Sequence, residues 1–351
     1  MSVQTTPAAA PQRPKDERLA QRSFMHRVIL RPELGSVVGA LLIFGFFIVM
    51  APPFRNIDSF ATVLYASSTI GIMAIAVALL MIGGEFDLSA GVNVTTGALA
   101  ASMIAYNLHL NLWLGAFLAL FVCLGIGFVN GYLVTKTKIH SFLITLGMFL
   151  MLQGANIAVT KLISNAVSTP RVSDMEGWAS ARAVFSSSLN VFGVNIRITV
   201  LWWLLFAAVA TFVLFKTKFG NWIFSVGGNA DSARAVGVPV ARVKIILFMT
   251  VGFAAWFSGM HILFAFDTVQ SGQGVTNELI YIAAAVIGGC LLTGGYGTAI
   301  GACVGAFIFG MTNQGIVLAG WEPDWFKFFL GAMLLLAVIG NNELRKYAAN
   351  K

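Results

Sequence analysis

The chain has 351 residues, 58% of them hydrophobic and only 10% charged, too few charges to cover the surface of a water-soluble domain. That composition excludes a soluble globular protein and makes lipid the solvent for most of the chain. The net charge of +8 would suit a nucleic-acid partner, but no basic cluster is interleaved with aromatic residues on a soluble face, so its meaning lies in where the charges fall along a membrane topology.

Residues 1–34 are polar, Pro-containing and charged, and carry too many acids for the short basic region of a signal peptide. They are expected to form a disordered cytoplasmic tail. Crossing about 30 Å of hydrocarbon takes roughly 20 apolar residues in a helix. Runs approaching that length occur at 35–51, 60–82, 92–108, 111–134, 140–163, 198–215, 245–264, 278–292, 297–317 and 325–341. The third and eighth are short, rich in Gly or Thr and next to a Gly-Gly turn, as expected of broken or re-entrant helices lining a cavity. The expected fold is therefore all-α, a polytopic integral membrane protein with about ten transmembrane helices. With the N-terminus inside, 16 of the 22 lysines and arginines fall on the cytoplasmic side, which predicts cytoplasmic termini and a short tail at 342–351.

The most distinctive segment is Ile82 to Gly91, IGGEFDLSAG, where Glu85 and Asp87 stand two apart at a helix end. A carboxylate in hydrocarbon is costly, so both are expected to face water, a pore or donors in the first turn of the next helix. The simpler reading is that Asp87 or Ser89 caps that helix. The next polar residues, Asn93, Thr95 and Thr96, are candidates for lining a path through the membrane. So are Gln153 and Asn156, three apart and on one helix face, and Asn313 with Gln314. Each amide could equally hold helices together by hydrogen bonding. Gly127 and Gly131, and Gly297, Gly301 and Gly305, are spaced for close helix packing. Cys123, Cys290 and Cys303 lie in or beside apolar runs without paired spacing, so neither a metal site nor a disulfide framework is indicated. His261, near a helix end, reads as packed rather than as a proton relay.

Two polar stretches interrupt the apolar pattern. The outer one, 164–197, holds Pro170, Asp174, Glu176, Trp178 and Arg182 and is long for a connection between membrane helices. It is expected either to receive a soluble partner or to pack as a lid on the chain's own outer face. The inner one, 216–244, is broken by Gly227-Gly228 and by Gly237-Val238-Pro239. It predicts short cytoplasmic helices, one capped by Asn229, favoured by Asp231 in its first turn and ended by Gly237. A later segment, NELIYIAAAVIGGCLLTGGYGTAIGACVG from Asn277 to Gly305, repeats the IGG turn of Ile82 about 205 positions on.

IGGEFDLSAG resembles the GGIDLSVG-type signature of ribose, xylose and galactoside permeases of binding-protein-dependent ABC importers. AAAVIGGCLLTGGYGTAIGACVGAFIFG resembles that family's late segment, and SVGGNADSARAVGVPVARVKI its inner loop. Three ordered motifs across 35–341 make the resemblance specific. It implies that 35–341 is a transmembrane permease domain with 164–197 periplasmic and 216–244 the cytoplasmic coupling loop. It also implies a bacterial inner-membrane subunit that pairs with a second permease copy, a periplasmic solute-binding protein and a cytoplasmic ATP-binding subunit. Gly83, Gly84, Glu85, Asp87, Ser89 and Gly91 would carry the signature. Asn229, Ala233, Ala235 and Gly237 would lie where the short helix enters a groove of the ATPase. Glu85-Phe86 departs from the signature, which has an apolar residue before its Asp, and that loosens inference about the solute. No phosphate loop of the form G-x-x-x-x-G-K-[ST] occurs, so no cofactor is expected in this chain and ATP is the partner's. The other class is a proton- or sodium-driven transporter, for which Glu85, Asp87 and Glu278 are the acids near membrane depth. Nucleoside and branched-chain amino acid importers have distantly similar permeases. No catalytic residues are indicated.

Overall fold

The computed structural model describes residues 32–349, with side chains from 35 to 339. Thirteen α-helices appear among these residues: α1 (Pro32–Met50), α2 (Ile57–Ile82), α3 (Ala90–Asn107), α4 (Leu112–Thr137), α5 (Ser141–Ser164), α6 (Trp178–Phe185), α7 (Ile198–Lys216), α8 (Lys218–Gly228), α9 (Ala230–Ala235), α10 (Val240–Phe266), α11 (Asn277–Ile287), α12 (Ala299–Leu318) and α13 (Trp325–Ala349). A two-stranded antiparallel hairpin, β1 (Ser188–Val191) and β2 (Val194–Arg197), is the sheet among the described residues. Each of the ten apolar runs coincides with a helix. Six helices, α2, α4, α5, α7, α10 and α12, are long and apolar enough to cross a membrane. Residues 1–31 of the expected N-terminal tail lie outside the described residues, whereas Pro32 already opens α1. At the other end α13 continues as helix through Ala349.

The helix α2 is the centre of the packing. From Gly71 to Ile82 every residue is buried, and α12 on one side and α7, α10 and α11 on others share its surface. Lipid is as apolar as leucine, so what draws such helices together is close approach at small residues. A Cβ on Gly127 would stand 2.5 Å from the Phe248 carbonyl oxygen, and one on Gly131 2.7 Å from the Ile245 Cα, which fixes α4 on α10. Gly301 and Gly305 likewise abut the Gly288 and Ala284 carbonyl oxygens, which fixes α12 on α11. These stripes are structural. The peripheral helices α5 and α7 turn Leu143, Leu150, Met151, Leu204 and Phe212 outward, as lipid-facing helices do.

Of the two runs expected to be broken or re-entrant, the third is an unbroken 18-residue helix, α3, and only the eighth is short. With 11 residues, α11 is about 16 Å long, about half a membrane. The segment leading into it runs alongside the first turns of α3: the Thr95 hydroxyl donates to the Gln273 carbonyl at 2.5 Å, and a Cβ on Gly91 would stand 2.6 Å from the Gly274 carbonyl oxygen. So α11 starts beside the beginning of α3 instead of at a helix end facing water. Its termination repeats that of α2 bond for bond. Gly83, Gly84 and Glu85 donate to Leu79, Met81 and Leu80, and Gly288, Gly289 and Cys290 donate to Ala284, Val286 and Ala285. The second glycine of each pair takes the left-handed conformation, φ 83° at Gly84 and 92° at Gly289, which closes the helix end without steric cost only in glycine.

The stretch 165–197 packs back on its own protein. Trp178 Nε1 donates to Asp267 Oδ1 at 2.7 Å. Thr169 and Val172 donate backbone N–H groups to Val269 and Asp267, and Leu112 donates to Glu176. Phe185, almost wholly buried, stacks on Phe264 with ring centroids 5.7 Å apart. His261 is part of this packing: Nδ1 is 2.8 Å from the Phe185 carbonyl oxygen and Nε2 is 3.0 Å from the Tyr65 hydroxyl. The carbonyl only accepts, so Nδ1 carries the proton and Nε2 accepts from Tyr65. A histidine with both nitrogens so committed is a strut. The sequence of 164–197 predicts no element beyond a polar loop, because an eight-residue helix and two four-residue strands leave little periodicity.

Candidate functional site

The three motif segments, far apart in sequence, meet at one end of the molecule. Gly83-Gly84 ends α2, Gly227-Gly228 ends α8, and Gly294-Gly295 lies in the loop before α12. The Gly295 N–H donates to the Ile82 carbonyl at 2.8 Å. A Cβ on Gly227 would fall on that same carbonyl oxygen and 2.7 Å from the Gly295 nitrogen. Beside them the Lys244 ammonium, at the start of α10, makes an ion pair with Glu85. The unexpected acid of the signature is thereby neutralised, and its partner, 159 positions away, carries no local sequence signal.

Asp87 is buried and local in its bonding. Its Oδ1 accepts from the Ser89 N–H at 2.8 Å and from the Ser89 hydroxyl at 2.6 Å. Asn130 of α4 then donates to the Ser89 oxygen at 3.0 Å. Two α5 hydroxyls hold the same loop, Ser141 accepting from the Phe86 N–H and Thr145 from the Leu88 N–H, both at 3.1 Å. Neither Asp87 nor Ser89 caps α3 with its side chain; Asp87 instead holds the turn before the helix through its two bonds to Ser89. Gly91 is small for a reason, since a Cβ there would stand 2.5 Å from Glu278 Oε2 and 2.8 Å from the Glu278 nitrogen at the head of α11. Asn130, Ser141, Thr145 and Lys244 were not singled out from sequence. Only their polarity within or beside apolar helices could have found them.

The candidate path residues separate. Thr96 and Asn156 come together, the Thr96 hydroxyl lying 3.1 Å from Asn156 Oδ1, on the wall of a cavity of about 360 Å³ between α3 and α5 that Asn107 and Thr160 also line. The Asn156 amide nitrogen has no partner. Asn93 is buried with both side-chain polar atoms unpartnered and lies apart from this cavity, as does Thr95. Gln153 is half-buried outside it, and Asn313 on α12 accepts from its neighbour Gln314 at 3.2 Å. A larger cavity, about 730 Å³, opens between α7 and α10, but it is a poor site for a polar solute. Its Thr250 hydroxyl and its Trp202 and Trp256 indoles already donate to the backbone carbonyls of Ile246, Val184 and Ala116. The smaller cavity has the more polar wall, with Thr96, Asn107, Asn156 and Thr160 on it.

In the inner loop Asn229 caps α9, accepting from the Ser232 N–H at 2.8 Å, and Gly237 ends the turn at φ 87°. Asn229, Ala235 and Gly237 are exposed, whereas Ala233 is buried toward the body of the protein and Val236 stands 79% exposed. The exposed face of this segment is therefore built around Val236, and Ala233 belongs to the side packed on the protein.

The fold and this site define a helical membrane protein in which a half-length helix and a glycine-packed inner loop surround one central helix. The family described as the permease component of the branched-chain amino acid transport system matches residues 59–338, and the chain belongs to it. Curated relatives include the ribose import permease protein of Escherichia coli strain K12, 29% identical over 89% of this chain and 94% of that protein. The galactose/methyl galactoside import permease protein of Haemophilus influenzae is 31% identical over 89% of this chain and 94% of its own length. The fructose import permease protein of Rhizobium meliloti is 26% identical over 95% and 91%. No solved structure matches.

Proposed function

We propose that this chain is the membrane-spanning permease subunit of an ABC importer for a sugar, driven by ATP hydrolysis on a separate cytoplasmic subunit and supplied by a periplasmic binding protein. The observation that carries the reading is the convergence of the three family-like motifs at the inner end of α2, with the exposed turn of α9 beneath them. A sugar is favoured over an amino acid or nucleoside because the relatives described above are named for ribose, galactose and fructose, and because an unpaired amide beside a hydroxyl suits a hydroxyl-rich solute. The wall of Thr96 and Asn156 is one half of the path, and a second copy of the chain completes it. Ion coupling is disfavoured at two of the three acids near membrane depth, Glu85 being paired with Lys244 and Asp87 bonded to Ser89. Both termini lie in the cytoplasm of a bacterial inner membrane, consistent with the distribution of lysine and arginine.

A photoreactive residue at Val236, in native membranes, tests the partner directly. The expected product is a crosslink to an ATP-binding subunit, identified by mass spectrometry. Abundant folded protein that captures no such subunit from Val236, Ala235 or Asn229, together with uptake abolished by a protonophore while ATP is maintained, would replace the reading with an ion-driven transporter.

A further inference from the structure

We infer that the three Gly-Gly pairs form a rigid backbone junction by which movement of the inner loop is delivered at once to the end of α2 and to the loop between α11 and α12. The inference rests on the importer reading and adds to it the residues that carry the motion. Side chains in contact slip past one another by changing rotamer, whereas backbones in contact have no soft torsion between them, and close-packed interiors transmit displacement instead of absorbing it. The junction is built of such contacts. A Cβ on Gly84 would stand 3.3 Å from the Gly227 Cα, one on Gly294 2.7 Å from the Gly84 Cα, and one on Gly295 2.8 Å from the Gly228 Cα. Each pair therefore touches the other two, and the Gly295 to Ile82 hydrogen bond ties the late loop to the last turn of α2. Gly84, Gly294 and Gly295 also have positive φ, 83°, 79° and 73°, so no side chain could be accommodated there by backbone adjustment alone.

The two sides of this junction differ in exposure. Gly227 is buried against Ile82, while Gly228 and Asn229, next in the chain, are exposed. A force applied at the α9 turn thus reaches the tip of α2 and the loop preceding α12 through main chain alone. The first is the turn after Ile82, and the second is tied back by the Leu291 N–H to Tyr296 carbonyl bond to the turn after Ile287, whose hydrogen bonding is the same as that after Ile82. The Glu85 to Lys244 ion pair braces the first of them to α10. Motion of the inner loop therefore acts on the helices preceding and following each turn together, which is how a small displacement at a partner contact becomes a rearrangement between packed helices.

The test uses the complex of this chain with its captured ATP-binding subunit in lipid nanodiscs, in a cysteine-free background, with spin labels at Val236→Cys, Leu292→Cys and Leu108→Cys. All three positions are exposed. Between the nucleotide-free and ATP-vanadate-trapped states, the Val236 to Leu292 distance is expected to stay unchanged while both distances to Leu108 shift. In Gly227→Ala, the Val236 label is expected to keep its vanadate response and the Leu292 label to lose it, a separation that general destabilisation does not produce. Gly125→Ala, on an exposed face of α4 with open space beside it, is expected to leave every distance as in the unsubstituted chain. A Val236 to Leu292 distance that changes with nucleotide overturns the junction, and this measurement needs no glycine variant to fold. If no ATP-binding subunit is captured by the unsubstituted chain, the importer reading falls and the junction falls with it. Capture with independent motion of the two labels sinks the junction alone.

Discussion

The pair of Glu85 and Lys244 shows how much one side chain can depend on another that sequence does not place near it. The Glu85 side chain is 8% exposed and that of Lys244 19%, so removing either leaves a charge with little water to turn to. Lys244→Met is expected to cost about 3 kcal/mol of unfolding free energy, and Glu85→Gln in the same chain to restore a large part of it. Denaturant unfolding in detergent of both single variants and the double variant checks this, and additive losses would mean that the two groups are not coupled. Gly91 acts at the same scale through its missing Cβ, which would press on Glu278 and Gly274. Gly91→Ala is expected to lower stability by about 1–3 kcal/mol, the usual cost of forcing extra atoms into a packed site. The signature motif was legible in sequence as a unit. The reason for its glutamate was not, because ion pairing across 159 residues leaves no trace in local spacing.

Single elements were legible in proportion to their length and periodicity. Runs such as 60–82 and 111–134 coincide closely with α2 and α4, since a membrane helix announces itself by a sustained apolar window. The run 278–292 reaches five residues beyond α11, because hydropathy does not register the Schellman closure at Gly288-Gly289. The α9 cap was readable at Asn229, where one side chain satisfies a donor three residues on. The α6 helix and the hairpin were not readable, being stabilised by contacts with other helices, α6 with α10 and the hairpin with α2 and α7, and not by their own pattern. Those contacts make a prediction. Trp178→Phe removes the indole bond to Asp267 and should speed hydrogen exchange across 167–186 without changing it in α2. Unchanged exchange in that stretch would mean that stacking of Phe185 holds it alone. At the hairpin tip Phe192 is fully exposed, at 102%. Phe192→Ser is expected to leave the unfolding midpoint unchanged while weakening association with the binding protein, measured by surface-immobilised titration.

For the whole molecule the testable quantity is sidedness. Loops at 51–56, 108–111, 165–197 and 319–324 belong to one end and those at 138–140 and 217–239 to the other, as alternation of the connecting helices requires. Val236→Cys is expected to react with a membrane-impermeant maleimide only in inside-out vesicles, and Phe192→Cys only in intact spheroplasts. The reverse pattern would invert the topology and place α9 out of reach of any cytoplasmic ATPase.

Sequence by itself determined that the chain lives in lipid, roughly where its helices run, and which three motifs resemble those of a permease family. Those properties follow from composition, apolar length and local turn chemistry, each of which acts within a window of some twenty residues. Only the tertiary structure decided that the three motifs meet at one end of α2, that Glu85 is paired, that Asp87 bonds Ser89 without capping α3, and that Thr96 with Asn156 shares a cavity from which Asn93, Thr95, Gln153 and Asn313 stand apart. In lipid, helix pairing is governed by shape and by a few polar contacts instead of burial from water. Which polar residue meets which is therefore fixed by the packing of distant helices, and packing is a property of the whole chain.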